Sequence, residues 1–151
     1  METLAAQLRS RGLRNTPQRR AVLMALAEAP HSTAAELASA VEEAARRSAA
    51  SGTQTVAGVD GLSRQGLYNV LADLTGAGLV QCIEPAGSPA RFEVRVGDNH
   101  HHLVCRRCGR ISDVSCAVGA APCLTPAQYD DFVVDQAEVI WWGTCKHCAE
   151  T

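Results

Sequence analysis

The sequence predicts an α+β protein made of two small domains. Three observations support this prediction: apolar residues at helical spacing occupy the first half, extended segments follow them, and six of the seven cysteines lie at or after Cys105. A chain of 151 residues is long enough for one compact domain or two very small ones. Because the composition changes near 96–100, we predict domains at 1–96 and 97–151, with a hinge near 93–99.

The first two predicted helices begin at recognisable caps. Thr16-Pro17 is an N-cap followed by proline at the first helical position, and Pro30 ends this helix. Thr33 and Glu36 form a capping box for the second helix. The residues that follow it, 46–60, are small or polar and have no period, so we predict a mobile loop there.

A third helix and a hairpin complete the first domain. The helix is predicted to begin at Ser63 and to end near Gly76 or Gly78, and two extended segments, 79–84 and 91–96, follow around a loop rich in proline and glycine. This order of helices and hairpin is that of a winged helix-turn-helix, which places its last helix in the major groove of DNA. The apolar side of that helix consists of Leu67, Val70, Leu71 and Leu74.

The charges are compatible with DNA binding but do not require it. The formal net charge of −2 excludes a globally basic nucleic-acid coat, yet residues 1–96 carry ten arginines against nine acidic residues. Five of those arginines lie from Arg9 to Arg20 with no acidic residue among them. The third helix also has a polar side, which could read bases or could simply be solvated: Arg64, Gln65, Tyr68 and Asn69.

Two C-x-x-C pairs are the strongest chemical signal in the second domain. Cys105 with Cys108, and Cys145 with Cys148, each leave two residues between the thiols. This spacing lets both sulfurs face one tetrahedral ion at about 2.3 Å, so we predict structural Zn(II) held by all four. A redox-active pair and paired thiols without metal are the alternatives.

Three further cysteines lie outside this spacing. Cys116 and Cys123 could be a redox pair, a weak second metal site or two ordinary thiols, whereas Cys82 fits a small buried apolar side chain in a strand. A thiol oxidoreductase that uses these or the C-x-x-C cysteines is a separate hypothesis. It requires an exposed thiolate of low pKa.

Three consecutive histidines precede the first cysteine pair. In a strand, His100 and His102 share one face while His101 points the other way. Asp113 lies in the next extended run and could complete a nitrogen–oxygen site for Fe(II), Mn(II) or Zn(II). Three solvated histidines at a polar edge are the alternative.

Taken jointly, these motifs resemble the ferric uptake regulator family from about residue 5 to Cys148. The resemblance implies a dimeric, metal-dependent transcription repressor and not an enzyme. It implies a winged-helix DNA-binding domain, a small α/β dimerisation domain and a palindromic operator as the DNA partner. The motifs that carry it are Leu13–Arg19, His31–Leu37, Tyr68–Leu71 with Gly78–Val80, Arg91–Glu93, and His100-x-His102-x-x-Cys105-x-x-Cys108-Gly109 with Asp113.

The resemblance also implies two metal sites. The four C-x-x-C cysteines would hold structural Zn(II). A regulatory Fe(II) or Mn(II) would take ligands from both domains and would favour the domain arrangement that it binds better. The ligands of this second site would be His31, Glu93, His100, His102 and Asp113. Two of them, the loop residue His31 and the strand residue Glu93, have no signal of their own in the sequence.

Some residues are similar to the peroxide-sensing, catalase-associated branch of the family. Asp113 stands where iron-uptake regulators more often carry glutamate. Segments 62–68 and 97–102, together with Cys116–Cys123, resemble that branch. The main prediction is therefore an Fe(II)-dependent repressor that leaves DNA when hydrogen peroxide oxidises His31 or His100. The alternative is a reversible sensor of iron, zinc or nickel level in the same family.

One departure from the family affects the predicted DNA contacts. The segment Gly66–Asn69 stands in place of the common Thr-Val-Tyr-Arg motif, so the usual arginine is absent. A separate departure concerns metal binding: Ala120 stands where a third metal site would need a carboxylate. Arg64 and Gln65 would compensate for the missing arginine. We predict base contacts from Arg64, Gln65, Tyr68 and Asn69, and phosphate contacts from Arg14 and Arg19.

The sequence gives no indication of a membrane segment. No apolar run approaches the roughly 20 residues needed to cross a bilayer, and the first residues lack a signal-peptide pattern. Paired cysteines suited to metal binding also fit a reducing compartment. We therefore expect a cytoplasmic protein.

Overall fold

The computed structural model describes residues 3–51, 59, 62–95, 100–115, 126, 128, 131–134 and 137–150. The chain divides into two compact units, Met1–Val96 and Gly97–Thr151. Among the described residues, no helix combines the length and the apolar character that crossing a membrane requires.

The described residues of the first unit contain four helices: α1 Leu4–Ser10, α2 Pro17–Glu28, α3 Ala34–Ser51 and α4 Arg64–Gly76. Their predicted caps are present. The Thr16 hydroxyl accepts a hydrogen bond from the Arg19 N–H, and the Ser63 hydroxyl accepts one from the Gly66 N–H at 3.0 Å. Before α3, Thr33 and Glu36 bond reciprocally through side chain and backbone, which is the predicted capping box. The three helices expected from the sequence are confirmed.

The predicted loop over 46–60 is wrong where the structure describes it as helix. The α3 helix continues to Ser51, while 52–58 and 60–61 lie outside the described residues. Alanine has the highest helix propensity but adds no strong hydrophobic period, so the alanine-rich end of α3 shows no pattern of large apolar residues. Polar contacts one turn apart, such as Arg47 with Glu43 at 3.5 Å, support the same turns.

A helix that the sequence did not predict begins the chain. The α1 helix has seven residues, too few for a clear hydrophobic period, and its Leu8 is fully buried. Thr3 caps it by accepting a hydrogen bond from the Ala6 N–H. Gly12, with a φ of +73°, lies just beyond its end in the left-handed region that glycine adopts readily.

The core of the first unit forms where α2, α3 and α4 meet. Leu67, Leu71 and Leu74 of α4 are buried as predicted. On the rim of this core, the guanidinium of Arg19 in α2 pairs with the carboxylate of Asp73 in α4 at 2.5 Å. Apolar packing and this ion pair together set the position of α4.

The first sheet contains the predicted hairpin and one unpredicted strand. The hairpin strands are β2 Val80–Ile83 and β3 Arg91–Val94, and β1 Ser32–Thr33 pairs antiparallel with the other side of β3. A two-residue strand is too short to show alternation, which is why sequence periodicity misses it.

The second unit is built on a three-stranded sheet with β4 in the middle. Its strands are β4 His100–Cys105, β5 Ile111–Ser115 and β6 Ile140–Gly143, in the order β5-β4-β6, and α5 Lys146–Ala149 follows. The β4 strand is antiparallel to β5 and parallel to β6. The strand expected to carry the histidines is therefore confirmed.

Replacing Leu71 tests the packing of α4. This side chain is 2% exposed, so Leu71→Ala should lower the free energy of unfolding of the first unit by about 2–5 kcal/mol through lost burial and a residual cavity. The measurement is urea unfolding followed by far-UV circular dichroism. Tyr68→Ala, on the exposed side of the same helix, is the control, and an equal loss in both variants would contradict this packing.

Candidate metal centres and DNA-facing helix

Four cysteine side chains converge at one end of the second sheet. Cys105 ends β4 and Cys108 lies in the turn after it, while Cys145 is the N-cap residue of α5 and Cys148 lies within α5. Their sulfurs all lie within 4.8 Å of one another. The parallel pairing of Cys105 with Gly143 brings the two C-x-x-C pairs together, although 36 residues separate them in the chain. Four sulfurs at this spacing could hold one tetrahedral Zn(II).

Two thiols of this cluster have pKa values that are shifted in opposite directions. Backbone N–H groups, first that of Cys145 and then that of Cys108, lower the pKa of the Cys105 thiol to about 6 because they stabilise the thiolate. Hydrogen bonds to the neighbouring sulfurs of Cys145 and Cys108 raise the pKa of Cys148 to about 12. One thiolate therefore forms readily while another resists ionisation, a conflict that a divalent cation among the sulfurs removes.

In the first unit, His31 and Glu93 form a second candidate group. The β1–β3 register pairs Ser32 with Phe92, so the next position along places His31 opposite Glu93. His31 Nε2 lies 2.9 Å from Glu93 Oε2, and Glu93 is 3% exposed. His31 has a φ of +62°, in the left-handed region that non-glycine residues seldom adopt. Strain of this kind is found where function requires a particular side-chain position.

In the second unit, His102 and Asp113 form a comparable pair. They are partners across the β4–β5 ladder, and His102 Nε2 lies 3.8 Å from Asp113 Oδ1. The His100 ring meets the His102 ring edge-on, with 5.1 Å between their centroids, whereas His101 contacts Trp141. The second unit therefore presents two imidazoles and one carboxylate that could serve as nitrogen and oxygen ligands.

The exposed side of α4 has the polar side chains that the sequence predicts. Arg64, Gln65 and Asn69 are exposed, and the Gln65 side-chain amide donates to Asn69 Oδ1 at 3.0 Å. Tyr68 is 42% exposed. A Cβ added at Gly66 would lie 3.2 Å from Leu62 Cδ1, so glycine gives this first turn its close packing.

The two predicted phosphate-binding arginines differ in their surroundings. Arg14 is exposed. The Arg19 side chain is 15% exposed, pairs with Asp73 and donates to the Arg14 carbonyl at 2.9 Å. The sequence does not predict the contact with Asp73, because the partners are 54 positions apart and neither residue type is unusual on a helix surface.

Four other residues were named in the sequence analysis. Cys82 is partly buried in β2 and packs against the core of the first unit. Cys116, Cys123 and Ala120 lie outside the described residues.

Comparison with known proteins now identifies the family. The model of the ferric uptake regulator family matches residues 10–118, which is more than half of the chain. This chain belongs to the ferric uptake regulator family. Its members are regulators of transcription, so the chain is a metal-dependent transcriptional repressor and not an enzyme, and the thiol oxidoreductase hypothesis is wrong. The family's proteins are dimeric and bind DNA.

The relatives that the chain resembles include two kinds of regulator. The chain is 49% identical over 145 residues to the transcriptional regulator FurA of Mycobacterium tuberculosis, covering 96% of this chain and 89% of FurA. It is 28% identical over 151 residues to the peroxide-responsive repressor PerR of Staphylococcus epidermidis, covering 99% and 91%.

A solved relative agrees with the fold. The ferric uptake regulator of Pseudomonas aeruginosa, determined with manganese, aligns with a TM-score of 0.65 at 21% identity over 96% of this chain and 99% of that protein. The predicted α+β class, with a winged-helix DNA-binding domain followed by a dimerisation domain, is confirmed.

The geometry of the cysteine cluster predicts that zinc binding depends on Cys148 and on pH. Cys148→Ser should lose bound Zn(II) and melt the second unit at a lower temperature, because three ligands bind the ion less tightly than four. Acid should have the same effect on the unaltered chain. Protons compete with the metal for Cys148, whose pKa is raised to about 12, and below about pH 6 they compete for Cys105 as well.

The measurement is zinc content after gel filtration at about pH 8 and about pH 5, with thermal melting at each pH. Cys82→Ser removes a thiol outside the cluster and serves as the control. Full zinc retention by Cys148→Ser would contradict a four-sulfur site.

Proposed function

We propose that this chain is a repressor that senses metal level and binds its operator DNA as a metal-loaded homodimer. The regulatory ion would be Fe(II) or Mn(II), bound by His31, Glu93, His100, His102 and Asp113, and Zn(II) in the cysteine cluster would have a structural role. The observation that carries the proposal is the pairing of imidazole with carboxylate in each unit, at 2.9 Å for His31 with Glu93 and 3.8 Å for His102 with Asp113.

The donor chemistry supports a regulatory site distinct from the zinc site. Imidazole and carboxylate groups suit Fe(II) and Mn(II), whereas four thiolates select Zn(II). Glu93 is almost fully buried, and a buried carboxylate is stabilised by a cation beside it. The identity to FurA, 49%, is greater than the identity to the peroxide-responsive repressor PerR, 28%, and this difference favours a sensor of metal level over a sensor of peroxide.

The switch follows from differential binding. The family resemblance implies that the ion takes ligands from both units. Such an ion binds most tightly to the arrangement of the units in which all of its ligands can reach it. Metal then shifts the population toward that arrangement. The free energy of DNA binding becomes more favourable by the coupling free energy between metal binding and DNA binding. When the metal concentration falls, the ion dissociates and the repressor leaves its operator.

The DNA contacts would come from the exposed side of α4 and from the basic residues before α2. Arg64, Gln65, Tyr68 and Asn69 would meet base edges, and Arg14 would contact phosphate. Arg19, bound to Asp73, contributes by fixing α4 on α2. In a homodimer with two such helices, a palindromic operator matches the two-fold symmetry.

A peroxide sensor is the second candidate. It is favoured by Asp113, which stands where iron-uptake regulators more often carry glutamate, and by the resemblance of segments 62–68 and 97–102 to peroxide-sensing regulators. The similarity to PerR, at 28% identity, supports it less than the similarity to FurA supports metal sensing. In this case bound Fe(II) would react with hydrogen peroxide, and His31 or His100 would gain an oxygen atom and be lost as a ligand.

Removing one ligand tests the regulatory site. Glu93→Gln should raise the Mn(II) concentration needed for half-maximal DNA binding at least about tenfold, since a neutral amide is a poorer ligand than a carboxylate. The measurement is a fluorescence-anisotropy titration on promoter DNA of the protein's own gene. Glu84→Gln, on the exposed end of the hairpin, is the matched control, and equal titrations for the two variants would contradict the proposal.

Anaerobic peroxide challenge separates the two signals. A metal-level sensor loaded with Fe(II) should keep its DNA affinity after one equivalent of hydrogen peroxide once Fe(II) is restored. A peroxide sensor should lose that affinity permanently and gain 16 Da, on a peptide that contains His31 or His100. Mn(II)-loaded protein controls for damage that does not depend on iron.

A further inference from the structure

His31 needs an unusual backbone conformation to reach Glu93. Its φ of +62° falls in the left-handed region, which L-residues other than glycine occupy at a cost in free energy. The residue follows Pro30 in a turn between α2 and β1. An isolated chain would populate other conformations there, so contacts elsewhere in the first unit must hold the turn.

Arg91 supplies one of those contacts directly to His31. Its Nη1 donates a hydrogen bond to the carbonyl oxygen of His31 at 3.0 Å, and its side chain is 20% exposed. A hydrogen bond from a charged donor in a partly buried setting is stronger than one between neutral groups. The bond fixes the peptide unit on the C-terminal side of His31.

Glu36 lies near the same nitrogen of the Arg91 guanidinium. Its Oε2 lies 3.8 Å from Arg91 Nη1 and also accepts hydrogen bonds from the Thr33 backbone N–H and hydroxyl, at 2.7 and 2.9 Å. The pKa of Glu36 is lowered, chiefly by the Thr33 N–H and to a smaller extent by the Arg91 charge. The capping carboxylate of α3 thus remains charged and anchors the arginine.

The β3 strand carries Arg91 and the carboxylate partner of His31 on one face. Arg91 and Glu93 are two residues apart, so their side chains point to the same side of the sheet. Arg91 pairs with Thr33 across the ladder, and Glu93 falls opposite His31. One strand therefore presents a carboxylate to the imidazole of His31 and a cation to its backbone.

We propose that Arg91 is a positioning residue for the regulatory metal site: its hydrogen bond to the His31 carbonyl keeps that residue in the left-handed conformation from which the imidazole can act as a ligand. The inference rests on the proposed function, because it assigns Arg91 a task only if His31 is a ligand. Arg91 itself does not bind the metal. Without Arg91, a smaller fraction of the molecules has the left-handed turn that can bind metal. The apparent affinity for metal falls in proportion to that fraction.

The test is a mutant cycle in the zinc-loaded, full-length protein with Co(II) as the probe. Arg91→Gln should weaken Co(II) binding about tenfold, the size expected for loss of one charge-assisted hydrogen bond. In the background of His31→Ala, the same substitution should have no further effect, since there is no imidazole left to position. At saturating Co(II), the visible absorption spectrum of Arg91→Gln should match that of the unaltered protein, because His31 still binds the ion once the turn has formed. The spectrum of His31→Ala should differ, because that variant lacks one ligand.

Arg95→Gln is the matched control. Arg95 lies just beyond the same strand and is exposed, and its substitution should leave the Co(II) affinity unchanged. Zinc content and melting temperature are measured for every variant. If Arg91→Gln does not fold, Arg91→Lys replaces it in the same cycle. Lysine keeps the charge and can donate hydrogen bonds but lacks the planar guanidinium, so it should give a smaller loss that again vanishes with His31→Ala.

The outcomes separate the two proposals. Unchanged Co(II) affinity in an Arg91 variant, or an equal loss with and without His31, overturns the positioning role while the ligand set stands. Unchanged affinity in His31→Ala alone overturns the ligand assignment and the proposed function with it. Loss of affinity in Arg91→Gln that disappears in the double variant supports both.

Discussion

The register of strand pairing is the constraint on which the candidate ligand groups depend. The β4 strand is paired on both sides, antiparallel to β5 and parallel to β6. The first pairing sets Asp113 beside His102, and the second sets Gly143 beside Cys105, so that the cysteines around α5 reach the cysteines at the end of β4. A slip of one residue would move every side chain of a strand to the opposite face.

In the first unit, a much shorter strand pairing also brings two candidate ligands together. Two residues of β1 tie the turn that contains His31 to β3, whose other edge pairs with β2. The α4 helix leads directly into β2, so the candidate DNA-reading helix and Glu93 are connected through a single hairpin. The approach of His31 to Glu93, at 2.9 Å, therefore depends on the register of β1 with β3.

The arginines show why net charge alone is a poor guide to DNA binding here. The chain is slightly acidic overall, yet Arg14 and Arg64 are exposed, while Arg19 and Arg91 are engaged with carboxylates inside the first unit. Two of the arginines therefore build the fold that presents the others.

The sequence alone determined the features that depend on near neighbours. Thr16, Thr33 and Ser63 mark helix starts, proline and glycine mark the hairpin loop, and the two C-x-x-C pairs mark a cysteine site, because each signal lies within a few residues. Only the tertiary structure decided the left-handed turn at His31, the Arg91 contact with it and the Arg19–Asp73 pair. Those partners lie 54 to 60 residues apart, and a contact between distant residues leaves no local pattern to read.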